Sequence, residues 1–370
     1  MKEFLRRLIQ AETTALKGEL AAAQTIAAEL ERSGIESRIE TWDQTRANIV
    51  ARVRSTRRKK ALLFVCHLDV VGPGEAPWTH PPFAAVESDG KIYGRGAADM
   101  KGCIAAVVTA IRRVAESGAQ LQGDVMLLGA AGEETDSCGA RRFVGNPSAI
   151  PELSGIVVTE PTEFDVVNAH RGLLWLEVAT EGKAAHGSTP HLGVNAITSM
   201  KSVLDELERY RIPFEPHRLL GRCSMSINKI AGGQAINIVP DKCSIAVDIR
   251  TLPTQNPNNI VADFEKILAK LRQGSSQFAA QVSIIRDVQA LETDGSCDFV
   301  RDFCSAVGRS RTKAVGFTTD GPYFASLGAP VVVFGPGKSE LCHKPDEYID
   351  MADVEKAVEH YKNVILKFLT

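Results

Sequence analysis

Seven residues spread along most of this chain could do metal chemistry together: His67, Asp69, Asp99, Glu133, Glu134, Glu160 and His343. His67 and Asp69 close the apolar run Leu62–Cys66 as His-x-Asp. Glu133 and Glu134 follow the apolar run Val125–Ala131, Glu160 follows Gly155–Thr159, and His343 lies downstream of Ala329–Phe334. Asp99 opens an Ala/Val/Ile-rich stretch that reads as a helix to about 117. Each has an ordinary reading by itself. Asp99 could be a helix N-cap, the glutamates could sit in a helix first turn, and His67 could be a satisfied structural histidine. The repetition argues for a site, because open α/β sheets place their chemistry at the carboxyl ends of strands. Asp69 aside, two imidazoles and four carboxylates brought together carry strong negative charge and need cations. Imidazole and carboxylate without thiolate suit zinc, cobalt or manganese. Two ions could each take one histidine and one terminal carboxylate, with Asp99 between them. Such pairs serve hydrolases by lowering the pKa of a water and holding a tetrahedral oxyanion. One carboxylate is then left for general-base work, and Asp69 can accept the second ring proton of His67.

The elements that must position these residues follow from the apolar patterning. With 370 residues the chain is long for one core, so two domains are expected. Leu5, Leu8, Ile9, Leu20, Ala23, Ile26 and Leu30 predict helix over 3–33, capped by Gly34. Strands are expected near 36–42, 48–54 and 61–66, with the basic run Arg57-Arg58-Lys59-Lys60 as the solvated turn of a hairpin. A Pro- and Gly-rich loop runs from Gly72 to Gly96, and loops this long inside a domain tend to be functional. Gly94-Arg95-Gly96 is not a dinucleotide fingerprint, because Asp99 stands where the third glycine belongs. Gly337-Lys338-Ser339 is not a P-loop, because Val332 occupies the first glycine position. From Leu174 the texture changes to strand, helix, strand, strand, helix, strand, the order of a ferredoxin-like unit. We therefore expect one domain from 1–171 with 289–370, and a second, inserted, over 172–288.

Composition narrows the function classes. A net charge of -2 offers no basic face for nucleic acid or for an anionic membrane. The eight cysteines are scattered without Cys-x-x-Cys, a pattern of reduced thiols and not of a disulfide framework. The amphipathic start Met1–Arg7 lacks the apolar core of a signal peptide, and no apolar run approaches a membrane span. A cytoplasmic enzyme is the expectation.

The ordered stretches His67-Leu68-Asp69-Val70, Tyr93-Gly94-Arg95-Gly96-Ala97-Ala98-Asp99-Met100-Lys101-Gly102, Gly132-Glu133-Glu134, Glu160-Pro161-Thr162, Gly335-Pro336-Gly337 and His343-Lys344-Pro345-Asp346-Glu347-Tyr348 resemble one metallopeptidase family. It is the family of acetylornithine deacetylase, succinyl-diaminopimelate desuccinylase, aminoacylase and carboxypeptidase G. The resemblance implies an α/β, doubly wound zinc-hydrolase catalytic domain with an inserted α+β, ferredoxin-like lid or dimerisation domain. It also implies two Zn2+ ions, with Co2+ or Mn2+ able to substitute. His67, Asp99 and Glu160 would hold one ion; Asp99, Glu134 and His343 would hold the other. Asp69 would orient His67, and Glu133 would carry the proton from water to the leaving amine. His186, in Ala185-His186-Gly187-Ser188, resembles the lid histidine that helps bind the oxyanion in the partner subunit of dimeric members. Asn237 and Arg250 resemble positions that hold the substrate's backbone or carboxylate, an anion suited to the guanidinium fork. Gly232 and Gly233 mark a hinge or turn near that site. Pro161-Thr162 and the His343 motif lean toward the deacetylase, whereas Thr318-Thr319-Asp320-Gly321, with Thr319 as a substrate contact, leans toward the desuccinylase. The expected partners are a small N-acyl amino acid and a second copy of the chain, joined through the lid. The rival expectations are a dipeptidase or aminopeptidase, and a noncatalytic metal-binding protein.

Overall fold

A computed structural model describes residues 1–56 and 58–370. By contacts the chain divides into two units, 1–169 with 292–314 and 319–370, and 170–291 with 315–318. The short return 315–318 has no signature in the sequence.

The first unit is built on a mixed sheet. Its strands run, in spatial order, Glu36–Thr41, Ala47–Val53, Val125–Ala130, Ala61–His67, Leu153–Val158, Val331–Val333, Val167–His170 and Leu291–Glu292, with Lys313–Val315 beside Val167–His170. The central four are parallel, in the registers His67↔Ala130, Val65↔Val158 and Val333↔Val158. They read as unbroken apolar runs because both faces are covered. Leu62, Phe64 and Cys66 join an apolar cluster with helices Lys2–Gln10, Leu20–Glu31, Gly102–Glu116, Asp298–Ala306 and Met351–Leu369. Leu63 and Val65 alternate to the other face and are buried too. There helices Cys138–Val144 and Gly321–Ala325 pack together, with the Phe143 and Phe324 rings 6.3 Å apart. The helix-lined, two-faced sheet is the expected α/β arrangement.

Two expectations are corrected. Ala47–Val53 and Ala61–His67 are not hairpin neighbours: Val125–Ala130 lies between them, pairing antiparallel with the first and parallel with the second. Arg58 to Lys60 therefore lie on a crossover, and Arg57 lies outside the described residues. The helix expected over 3–33 is broken, because the gap from Ala11 to Glu19 serves the site. The Thr13 hydroxyl donates to the Leu68 carbonyl at 2.6 Å, and the Val70 amide donates to the Thr13 carbonyl at 2.9 Å. The break thus clamps the loop that carries Asp69.

A buried carboxylate fixes the helices behind the sheet. Glu29, 4% exposed at its side chain, takes Arg7 at 2.8 Å, Arg32 at 3.1 Å and Arg112 at hydrogen-bond distance. Glu29→Ala would leave three guanidinium groups facing one another. With their partial exposure screening the repulsion, the expected loss is about 2 kcal/mol. A urea titration should show a lower midpoint with an unchanged slope.

In the second unit, strands Leu173–Glu181, Ser224–Gly232, Lys242–Arg250 and Ala279–Val288 form one antiparallel sheet in the order second, third, first, fourth. Helices Ala196–Arg209 and Pro257–Gly274 cover the face that buries Leu174, Leu176, Val178, Ile245 and Val247. This is the ferredoxin-like arrangement.

His170 is fully buried, and its Nδ1–H donates to the Arg171 carbonyl at 2.8 Å. Burial pushes its pKa from 6.5 down to about 4. The unfolded chain therefore binds the extra proton first, and stability falls as pH drops from about 6.5 towards 4. The full cost is about 3 kcal/mol, from 1.36 kcal/mol per pH unit. Between pH 7.5 and 5, wild type should lose about 2 kcal/mol more unfolding free energy than His170→Asn. Equal losses would refute the assignment. Among the described residues, no helix is long and apolar enough to cross a membrane.

Candidate active site

Three parallel neighbours in the sheet deliver candidate ligands at their carboxyl ends. His67 is the last residue of its strand, Glu133 and Glu134 follow Val125–Ala130 through Gly132, and Glu160 lies just past Leu153–Val158. Gly132 has φ +78°, and a Cβ there would lie 2.5 Å from the Asp136 carboxylate. A side chain would thus displace the turn bearing both glutamates. Asp99 lies in an irregular turn, Ala97–Lys101, just ahead of the helix Gly102–Glu116.

Asp99 is the centre of the cluster. Its Oδ1 is 3.0 Å from His67 Nε2, and its Oδ2 is 3.3 Å from His343 Nε2. His343 Nε2 is also 2.8 Å from Glu134 Oε1, and His67 Nε2 is 3.8 Å from Glu160 Oε1. One ligand atom each from His67, Asp99 and Glu134 lies within 4.8 Å of the others. Asp99 thus stands between a His67–Glu160 side and a His343–Glu134 side.

The electrostatics of this donor set suit cations. Burial pushes the Glu160 carboxyl up to about 8, with Asp99 and Glu134 adding to the effect. Burial would lift Asp99 too, but hydrogen bonds from His343 and His67 hold it well below the carboxylate range. Bonds to Asp99 and Glu134 raise His343 to about 10. Burial opposes protonation of His67, yet Glu160, Asp69 and Asp99 raise it well above its ordinary value. The carboxylates thus draw protons onto the imidazoles, and divalent ions can take the place of those protons. Thiol ligands are absent from the set, as zinc, cobalt or manganese bound by oxygen and nitrogen would require.

The Asp69 carboxylate has a different task from the one expected. His67 Nδ1 is 3.0 Å from the Asp69 main-chain oxygen and 3.6 Å from its Oδ1, too far for a hydrogen bond. The two carboxylate oxygens instead accept the amides of Glu133 and Glu134, each at 3.0 Å. Asp69 therefore orients the imidazole through its backbone and the glutamate turn through its side chain. Burial, then the charge of Asp320, pushes Glu133 well above the usual carboxylate range. Asp320, 3% exposed, supplies this charge from the position after Thr319, and no local feature of the sequence marks its reach to Glu133. The Thr319 hydroxyl accepts the Gly321 amide at 3.0 Å, a local bond at the start of Gly321–Ala325.

The remaining candidates lie in the second unit. His186 pairs with Ile238, and the Gly187 amide donates to the Asn237 carbonyl at 2.8 Å, so His186 and Asn237 are neighbours. The Ser188 amide donates to His186 Nδ1 at 3.1 Å. Nδ1 is therefore the unprotonated nitrogen, and Nε2 carries the hydrogen. Gly232 pairs with Cys243, and Gly233 has φ +78°. Arg250 is engaged by Asp248 on its own strand, at 2.8 and 3.0 Å.

Comparison with known proteins bears on the family and the fold of the chain. Residues 63–367 match the model of peptidase family M20/M25/M40. A probable succinyl-diaminopimelate desuccinylase from Staphylococcus epidermidis is 30% identical, over 92% of this chain and 91% of its own length. An acetylornithine deacetylase from Proteus mirabilis is 31% identical, over 92% of this chain and 87% of its own. The crystal structure of an M20-family metallo-carboxypeptidase from Sulfolobus solfataricus superposes with a TM-score of 0.81 at 19% identity, covering 98% of both chains.

Proposed function

This chain belongs to peptidase family M20/M25/M40, and from that premise we propose that it removes a small acyl group, acetyl or succinyl, from an N-acyl amino acid. The observation that supports a two-ion hydrolase is Asp99, set between His67 and His343 at 3.0 and 3.3 Å. His67, Asp99 and Glu160 would hold one zinc ion; Asp99, Glu134 and His343 would hold the other. When bound, the ions supply Lewis-acid polarisation of the amide carbonyl and a water of lowered pKa. Glu133 takes the proton from the attacking water and returns it to the leaving nitrogen. Its elevated pKa brings it towards the working pH, where a general base is most efficient. His186 presents an Nε2–H, the form that can donate to an oxyanion. Arg250 and Asn237 are proposed contacts for the amino-acid part of the substrate. For Arg250 to serve, the substrate carboxylate must compete with Asp248 for the guanidinium. The deacylase reading follows the two curated relatives; likeness to the carboxypeptidase concerns fold. We further propose a cytoplasmic homodimer joined through the second unit, which sedimentation can test.

The test is a substrate panel of N-acetylornithine, N-acetylcitrulline, N-succinyl-diaminopimelate, N-acetylmethionine and several dipeptides. Each is assayed after chelation and again after zinc or cobalt is restored. Cleavage of one acyl amino acid, abolished by chelation and recovered with metal, is the expected result. Cleavage of dipeptides alone would replace this reading with a peptidase, and no cleavage by zinc-loaded protein would favour a binding role.

A further inference from the structure

We infer that Asp346 and Glu347 are positioning residues that fix the spacing of Asp99 and His343, and through it the metal affinity of the site. This rests on the metal-centre reading above. Glu347 is 1% exposed, and burying a carboxylate is costly unless donors compensate it. Its Oε1 accepts the amides of Ala98 and Asp99, at 2.9 and 3.0 Å. Its Oε2 accepts Arg95 Nη1 at 2.6 Å, and its main-chain oxygen accepts the Gly94 amide at 2.8 Å. Two of the three side-chain bonds therefore fall on the turn that carries the central ligand, one of them on that ligand's own amide.

Asp346 reaches the other way. Its Oδ1 accepts the amides of Thr79 and His80, at 2.9 and 3.0 Å, in the long loop ahead of Asp99. Arg95 completes the tie by donating to the Lys344 carbonyl at 3.3 Å. Immediately afterwards Tyr348–Asp350 pairs with Lys91–Tyr93, in the register Tyr348↔Tyr93. Two residues between have left-handed backbone, His343 at φ +63° and Asp346 at φ +54°, a conformation uncommon outside glycine that His and Asp adopt more readily than most side chains. The loops of His343 and Asp99 are thus joined by side-chain bonds on both sides of Pro345, independently of the bond each ligand makes to the other. Relaxing those bonds lets the 3.3 Å separation drift while the core stays intact.

The experiment measures zinc affinity by competition with a chromophoric chelator, with the thermal midpoint of the metal-free protein alongside. It compares wild type, Glu347→Gln, Asp346→Ala and, as a control in a distant buried ion cluster, Glu29→Gln. Glutamine keeps the size of Glu347 but sets an NH2 against donors, so binding should weaken about 10- to 100-fold. Asp346→Ala lies in a less buried position, folds without a new buried defect, and should weaken binding about tenfold. Glu29→Gln should lower the thermal midpoint and leave affinity unchanged. Wild-type affinity in both loop variants would overturn the inference, as would a loss in Glu29→Gln proportional to its lost stability. Failure of wild type to bind zinc would instead overturn the metal-centre reading.

Discussion

Replacing Glu133 with alanine is expected to lower kcat/KM by about a thousandfold while zinc affinity stays near that of wild type. The two parts of that result come from different features. The cluster of candidate ligand atoms is made by His67, Asp99 and Glu134, with His343 and Glu160 at its sides. Glu133 is adjacent in sequence to a ligand but has its own electrostatic setting, raised by burial, Asp320, Glu134 and Glu160. A carboxyl in that setting binds a proton more tightly than a solvated glutamate, as proton shuttling near neutral pH requires. Glu133→Gln should be nearly as inactive, because it keeps the shape and loses the basicity. Near-full turnover in either variant would refute the proposed role, and lost zinc affinity would show that Glu133 is a ligand.

Asp69→Asn is the second large effect, with zinc affinity and turnover both falling about 10- to 100-fold. The carboxylate holds the amides of Glu133 and Glu134 one on each oxygen. Asparagine offers one acceptor and turns an NH2 towards the other amide, so one of the two glutamates must shift. His67 should keep its orientation, since its Nδ1 bond is to the Asp69 backbone. The affected property is therefore the placement of Glu133 and Glu134. The decisive measurement is the rate at saturating zinc, which should stay depressed because Glu133 remains misplaced. Full recovery there would show that Asp69 acts on the metal ligands alone.

Much of this site was legible because its chemistry follows unbroken apolar runs. His67, the Glu133–Glu134 pair and Glu160 could be placed at strand ends without structural information, since a parallel strand buried on both faces has a distinctive sequence. Neighbour relations were less legible. Nothing local in Val125–Ala130 says that it inserts beside Ala61–His67, so an adjacent-strand hairpin was expected where a crossover exists. The break after Gln10 was hidden because leucines and isoleucines on both sides keep helical spacing, while the bonds of Thr13 to the loop at Leu68 are long-range. The strand pair Val86–Ser88 and Lys91–Tyr93 did carry a signal. Asp89-Gly90, both at positive φ, is the two-residue turn favoured in hairpins. The long proline-rich loop obscured it. Asp69 shows the limit for single residues, because His-x-Asp suggests a carboxylate on the imidazole and the geometry gives the backbone that bond.

The place of Val331–Val333 in the sheet has a consequence for synthesis. This strand sits between Leu153–Val158 and Val167–His170, although its chain neighbours in the sheet were made far earlier. Until it leaves the ribosome, the sheet remains in two pieces and the loop to His343 does not exist. The nascent first unit must then wait with an unpaired edge on Leu153–Val158, an exposure that invites wrong pairing. Closing so long a separation is slow by nature. Assembly of the Asp99–His343 pair therefore has to follow the arrival of Val331–Val333, and a product truncated before Val331 should require chaperone protection and retain no high-affinity zinc.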